Sequence, residues 1–155
     1  MENAKARLIY SANNSFIVYT CSTVVMALIV IAAIILYFKL LRNSEYCNTI
    51  KRKIVFWILV TAGLVFTLYL GRMAIVYRLD YVDAKAGNFQ TITGTVVGYD
   101  RARRGNGNEA IYEIPIFHDE ATGQKIPIDV GKTKINKKYT VVYLNRTKHG
   151  KLVNP

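Results

Sequence analysis

Three arginines, Arg101, Arg103 and Arg104, stand directly before Gly105-Asn106-Gly107-Asn108. A guanidinium grips a phosphate through two parallel N–H bonds. A Gly/Asn turn, with Asn106 inside it, tolerates positive φ and can turn successive backbone N–H groups toward an anion. A second basic group follows: Lys132, Lys134, Lys137 and Lys138 lie between two strand-like stretches, with Tyr139 next to them. Tyr99, Tyr112 and Tyr143 are interleaved with these cations, and a tyrosine ring can stack on a nucleobase. The chemistry indicated is recognition of a phosphate-bearing anion. The same residues also suit a solvated basic hairpin or one resting on anionic lipid, and charge alone does not choose. No stretch carries a Walker loop or a dinucleotide fingerprint, and no cofactor is expected.

Catalysis has thinner support. The two histidines, His118 and His149, both stand beside turn-forming residues. His118-Asp119-Glu120 are adjacent, and three neighbours on an extended turn do not easily converge on one ion, so a surface turn is the expectation. Every serine (Ser11, Ser15, Ser22, Ser44) precedes the β-rich part, so no serine triad is expected within it. The two cysteines, Cys21 and Cys47, have no metal-ligand spacing and form no disulfide framework. The chain is read as a binding protein, not an enzyme.

These residues need a scaffold, and the hydropathy pattern supplies an unusual one. From Phe16 to Phe38 the chain runs twenty-three residues without a charge. As a helix that rises about 35 Å, enough for a hydrocarbon core of about 30 Å. A second uncharged run, Ile54 to Gly71, can continue to Tyr77 if Arg72 snorkels or faces protein. Tyr19, Tyr37, Trp57, Tyr69 and Tyr77 fall near the ends of the runs, where interfacial aromatics belong. The expected organisation is a membrane domain, residues 1–79, with spans at about 16–38 and 54–77, then a soluble basic domain, residues 80–155. Gly63, Thr67 and Gly71 recur every four residues, a small-residue face suited to helix–helix packing, within the chain or between protomers.

Topology is balanced. Lys39, Arg42, Lys51, Arg52 and Lys53 lie between the spans, while Lys5, Arg7, Arg72, Arg78 and Lys85 lie on the other side. The positive-inside rule does not decide between them. The basic tail and the missing disulfides favour a cytoplasmic C-terminal domain on the bacterial inner membrane. Of the formal net charge of +11, the tail from Asp80 supplies twelve cations against eight acids.

Asp80 to Gly87 reads as a polar connector. Beyond it, β-branched residues between Gln90 and Tyr99, the alternation from Ile111 to Phe117, and short stretches at 126–130, 139–144 and 151–153 indicate strands. Residues 101–108 and 118–123 read as turns. The fold class is α+β: two transmembrane helices, then a small antiparallel β-rich domain, either a sheet or a partly closed barrel. Pro115 fits a strand edge or bulge.

In layout, size and basic tail, the chain resembles the two-helix Csx-type membrane effectors of type III CRISPR antiviral defence. That resemblance implies a cyclic oligoadenylate as activating ligand, a homo-oligomer matching the ligand's symmetry, and membrane disruption as output. No duplex nucleic acid is expected. The stretch Gly94-Thr95-Val96-Val97-Gly98-Tyr99, with Pro115, Asp119 to Gly123 and Tyr139 to Asn145, is similar to the β-domain of a family of small bacterial membrane proteins of unassigned function. The competing expectation is an outward-facing β-domain that docks on a protein partner, as an immunity or assembly factor would.

Overall fold

Long uncharged runs bonded only within themselves form helices, and β-branched alternation forms sheet; both occur here in sequence order. The computed structural model describes residues 1–41, 50–103 and 111–153. Helix α1 spans Glu2–Leu36 and ends in a π-helical turn, Tyr37–Leu41. Helix α2 spans Ile50–Lys85. Strands β1 (Gln90–Arg103), β2 (Ile111–Asp119), β3 (Lys125–Pro127), β4 (Lys138–Tyr143) and β5 (Gly150–Leu152) follow. The class is α+β. The chain divides into two compact units, Asn14–Val76 and the combination of Met1–Asn13 with Tyr77–Pro155.

In the unit of residues 14–76, both helices are long and apolar enough to cross a bilayer, and only 11% of each most apolar window is buried. Leu28, Leu59 and Leu68 are 60%, 65% and 73% exposed. The helices meet through small residues. A Cβ on Gly63 would come within 2.9 Å of Val30, and one on Gly71 would meet Thr23 at 3.7 Å. Tyr37 stacks on Phe56 with centroids 4.4 Å apart. Thr67 donates its hydroxyl to the Gly63 carbonyl, and Thr61 to that of Trp57, which satisfies both hydroxyls inside their own helix. Arg72 is exposed rather than enclosed between the helices.

The other unit is built on an antiparallel sheet of order β3-β2-β1-β4-β5. The sheet is open: β3 and β5 do not pair as strands. One isolated parallel bridge, Asp129 to His149, ties together the segments beside them. Ile92, Val96, Phe117, Ile128, Val141 and Tyr143 form one core. Gly150 sits where this core is tightest, because a Cβ there would meet Val130, Ile128 and Val141 within 3.0 Å. At Gly94 an added Cβ would fall 2.3 Å from the His118 carbonyl oxygen, so β1 and β2 approach closely only because this residue has no side chain. At Pro115 β2 is an edge, since β3 pairs only with Ile116 to His118. The proline carbonyl accepts from Ile128 N on that outer side, so its missing N–H leaves the β1 ladder intact.

β4 is apolar on both faces. Val141 and Tyr143 enter the first core, while Val142 and Leu144 enter a second with Leu8 and Ala12 of α1 and Ala84 of α2. Two expectations are corrected here. The segment from Asp80 is not a connector: α2 continues through Lys85, because Ala84 and Tyr81 have a sheet to pack on. Gly87, at φ 84, then ends the helix, with Asn88 N returning to the Asp83 carbonyl. The division expected at residue 79 is likewise not how the chain packs, since Met1–Asn13 belong with the sheet.

Candidate anion-binding loop

The residues between β3 and β4 are held in place from three directions. Asn136 N donates to the Val96 carbonyl at 2.8 Å, and Val96 N donates to the Lys137 carbonyl at 3.1 Å. The loop thereby takes the place beside β1 that β4 occupies further along. Tyr99 donates its hydroxyl to the Thr133 carbonyl at 2.8 Å. Lys134 N donates to the Tyr139 hydroxyl at 3.1 Å. Gly131 at φ 87 and Asn136 at φ 60 supply the left-handed turns that let the loop double back, which glycine and asparagine adopt at least cost.

From this fixed backbone Lys132, Lys134 and Lys137 extend as exposed side chains, and none of the three has a carboxylate within ion-pair distance among the described residues. Lys138 differs. It pairs with Glu120 across exposed surface, where an ion pair contributes about 1 kcal/mol or less. Tyr139 is half-buried: its ring packs against the first core and its hydroxyl is engaged by the loop backbone. Tyr99 plays the same part.

Arg101 and Arg103 do not lie in a turn. They continue β1, opposite Glu113 and Ile111, because the hairpin is longer than its glycines suggest. They follow Tyr99 and so lie at the lysine-loop end of β1. Arg104 and Asn106 lie outside the described residues. Gly63, Thr67 and Gly71 are in the helical unit, with Gly63 and Gly71 toward α1 as described.

Three features had no counterpart in the sequence reading. Asp80 of α2 is 1% exposed, and its carboxylate accepts from the backbone N–H groups of Arg146 and Thr147 at 3.2 and 2.9 Å. One turn on, Asp83 pairs with the Arg146 guanidinium at 3.0 Å. Together they fasten α2 to the turn between β4 and β5. The third is a Ser/His/Asp contact. Ser11 Oγ is 3.4 Å from His149 Nε2, and His149 Nδ1 is 3.6 Å from Asp129 Oδ2. α1 carries Ser11 to the sheet across 138 residues of sequence, so the contact joins a serine from outside the β-rich part to two residues within it. It has the order of a catalytic triad. Ser11 lies inside a helix whose backbone N–H groups are bonded to the preceding turn. The nearby N–H groups of Arg146 and Thr147 are held by Asp80, so they are not free to stabilise an oxyanion. The contact seats α1 on the sheet.

His118 lies in β2, opposite Thr95, not in a turn. The turn after it is closed by Asp119, which accepts from Ala121 N and from the Thr122 hydroxyl. Those bonds, the Thr122 hydroxyl first, hold the Asp119 carboxyl below its ordinary value. Burial, and then the Asp119 charge, push the Tyr143 hydroxyl up. A cleft of about 770 Å³ at this end of β1 is lined by Gln90, Thr91, Asp119, Glu120, Thr122 and Tyr143 among others. Its charged lining residues are both acids, and Glu120 is paired with Lys138. Among the described residues no group of three His, Cys, Asp or Glu side chains could hold a metal ion. The chain matches no protein-family model, no curated protein and no solved structure.

Proposed function

We propose that this chain is a two-span protein of the bacterial inner membrane whose sheet domain, in the cytoplasm, binds a phosphate-bearing nucleotide of the cyclic oligoadenylate class. The observation that carries the reading is the lysine loop: three exposed cations with no acid partner among the described residues, on a backbone fixed by two tyrosine hydroxyls. Preorganisation matters because a loop already in its bound shape loses less conformational freedom when the anion arrives. The two long apolar helices, little buried, support the membrane half of the reading.

Binding acts on the helices through β4. This strand starts at the lysine loop and ends at the turn that Asp80 grips. A shift of the loop is therefore carried to α2, and symmetric copies around one ring-shaped ligand rearrange together and breach the bilayer. Protease treatment of a C-terminally tagged chain tests the premise. The tag should survive in intact spheroplasts and be cut in inverted vesicles. A tag cut in spheroplasts excludes a cytosolic nucleotide and turns the domain toward an external protein partner.

A further inference from the structure

We propose that the loop from Gly131 to Lys137 docks on an anionic lipid surface, with Ile135 as the side chain that enters it. This rests on the reading that the loop recognises phosphate, and it names the headgroup of an acidic phospholipid as a phosphate source. Lysines alone would serve any phosphate. What they do not explain is the isoleucine among them. Ile135 is 52% exposed among the three exposed lysines. Val97, 43% exposed, follows directly on Val96, whose N–H and carbonyl both bond to this loop. A dissolved phosphate gives no reason to hold an isoleucine in water. A bilayer interface does: cations meet the headgroups while a short apolar side chain sinks between them. The loop has the rigidity for this, because Tyr99, Tyr139 and Val96 fix its backbone and leave Ile135 at the surface.

The test uses the full-length protein in nanodiscs of neutral phosphatidylcholine, mixed with vesicles of phosphatidylcholine with or without phosphatidylserine, and reads vesicle capture by flotation. Capture is expected only with phosphatidylserine. Each lysine contributes roughly fivefold in partitioning, so Lys132→Ala, Lys134→Ala and Lys137→Ala together should weaken capture about 100-fold. Ile135→Ser should weaken it about tenfold while leaving every charge in place. These positions are exposed, so the variants fold as the parent does. No capture overturns the proposal, and so does an Ile135→Ser variant that captures as well as the parent. Calorimetry with cyclic oligoadenylates on the same nanodiscs separates the two readings. Nucleotide binding without vesicle capture sinks the lipid surface and leaves the nucleotide reading standing. Capture that is lost in the isoleucine variant, with no nucleotide bound, upholds the lipid surface and overturns the nucleotide as ligand.

Discussion

Asp80 offers the sharpest perturbation of the structure. Its carboxylate accepts two backbone N–H bonds at 3.2 and 2.9 Å while being 1% exposed. A hydrogen bond to a charged acceptor contributes about 1.5–3 kcal/mol net, and a buried donor left without a partner costs about 1–3 kcal/mol. Asp80→Ala removes both acceptors, so local stability at the turn should fall by about 3–5 kcal/mol. Asp80→Asn keeps one acceptor oxygen and turns an NH2 group toward the other N–H, for a loss of about 2 kcal/mol. The readout is amide hydrogen exchange of the full chain in nanodiscs, followed at Arg146, Thr147 and along Tyr77 to Lys85. Exchange at Arg146 and Thr147 should speed up by about 30-fold in the asparagine variant and by at least 100-fold in the alanine variant. Asp83→Asn is the control: its pair with Arg146 is exposed on both sides, so its effect should stay within about 0.5 kcal/mol. Unchanged exchange at Thr147 in Asp80→Ala would refute the joint between α2 and the sheet.

Other expectations follow from single contacts. Gly94→Ala should destabilise the sheet by about 3 kcal/mol or more, since its Cβ meets the backbone of β2, whereas Gly98→Ala, with no atom within 4 Å, should be nearly neutral by thermal unfolding. Tyr139→Phe removes the acceptor for Lys134 N without changing charge, and should cost about 1 kcal/mol at the loop together with several-fold in anion affinity by titration. Asp119 has a lowered pKa when folded, so its contribution to the turn is present above its unfolded value of 3.8 and is lost as pH falls through the folded value. Acid titration by NMR should show the 120–123 turn loosening below about pH 4, and Asp119→Asn should remove that dependence.

The parts legible in the sequence are those fixed by local pattern. Uncharged length gave the two apolar helices, and β-branched alternation located all five strands. The extension of α2 is hidden in the sequence because Asp80, Asp83 and Lys85 carry the polarity of a connector. Their neighbours Tyr81 and Ala84 carry a helical spacing toward the sheet, and that was the available signal. The role of Leu8 and Ala12 was hidden for a similar reason, since a polar segment before an apolar run does not announce a partner. The lysine cluster is visible in the sequence, but the hydroxyl partners of the tyrosines are not. Whether a hydroxyl meets a ligand or a distant backbone carbonyl is decided by tertiary pairing, as Tyr99 with Thr133 shows across 34 residues. Nothing in the sequence joins Ser11 to His149.

The second core also decides which molecule to study. A fragment starting at Asp80 would lack Leu8 and Ala12 and would expose Val142 and Leu144, so the whole chain is needed. The most direct test is calorimetric titration of the full-length protein in neutral nanodiscs with cyclic di-, tri-, tetra- and hexa-adenylates, beside the variant with alanine at Lys132, Lys134 and Lys137. The proposed function requires one ring size to bind selectively to the parent and at least tenfold more weakly to the variant. Equal affinity in the two proteins, or no binding to any ring, would contradict it.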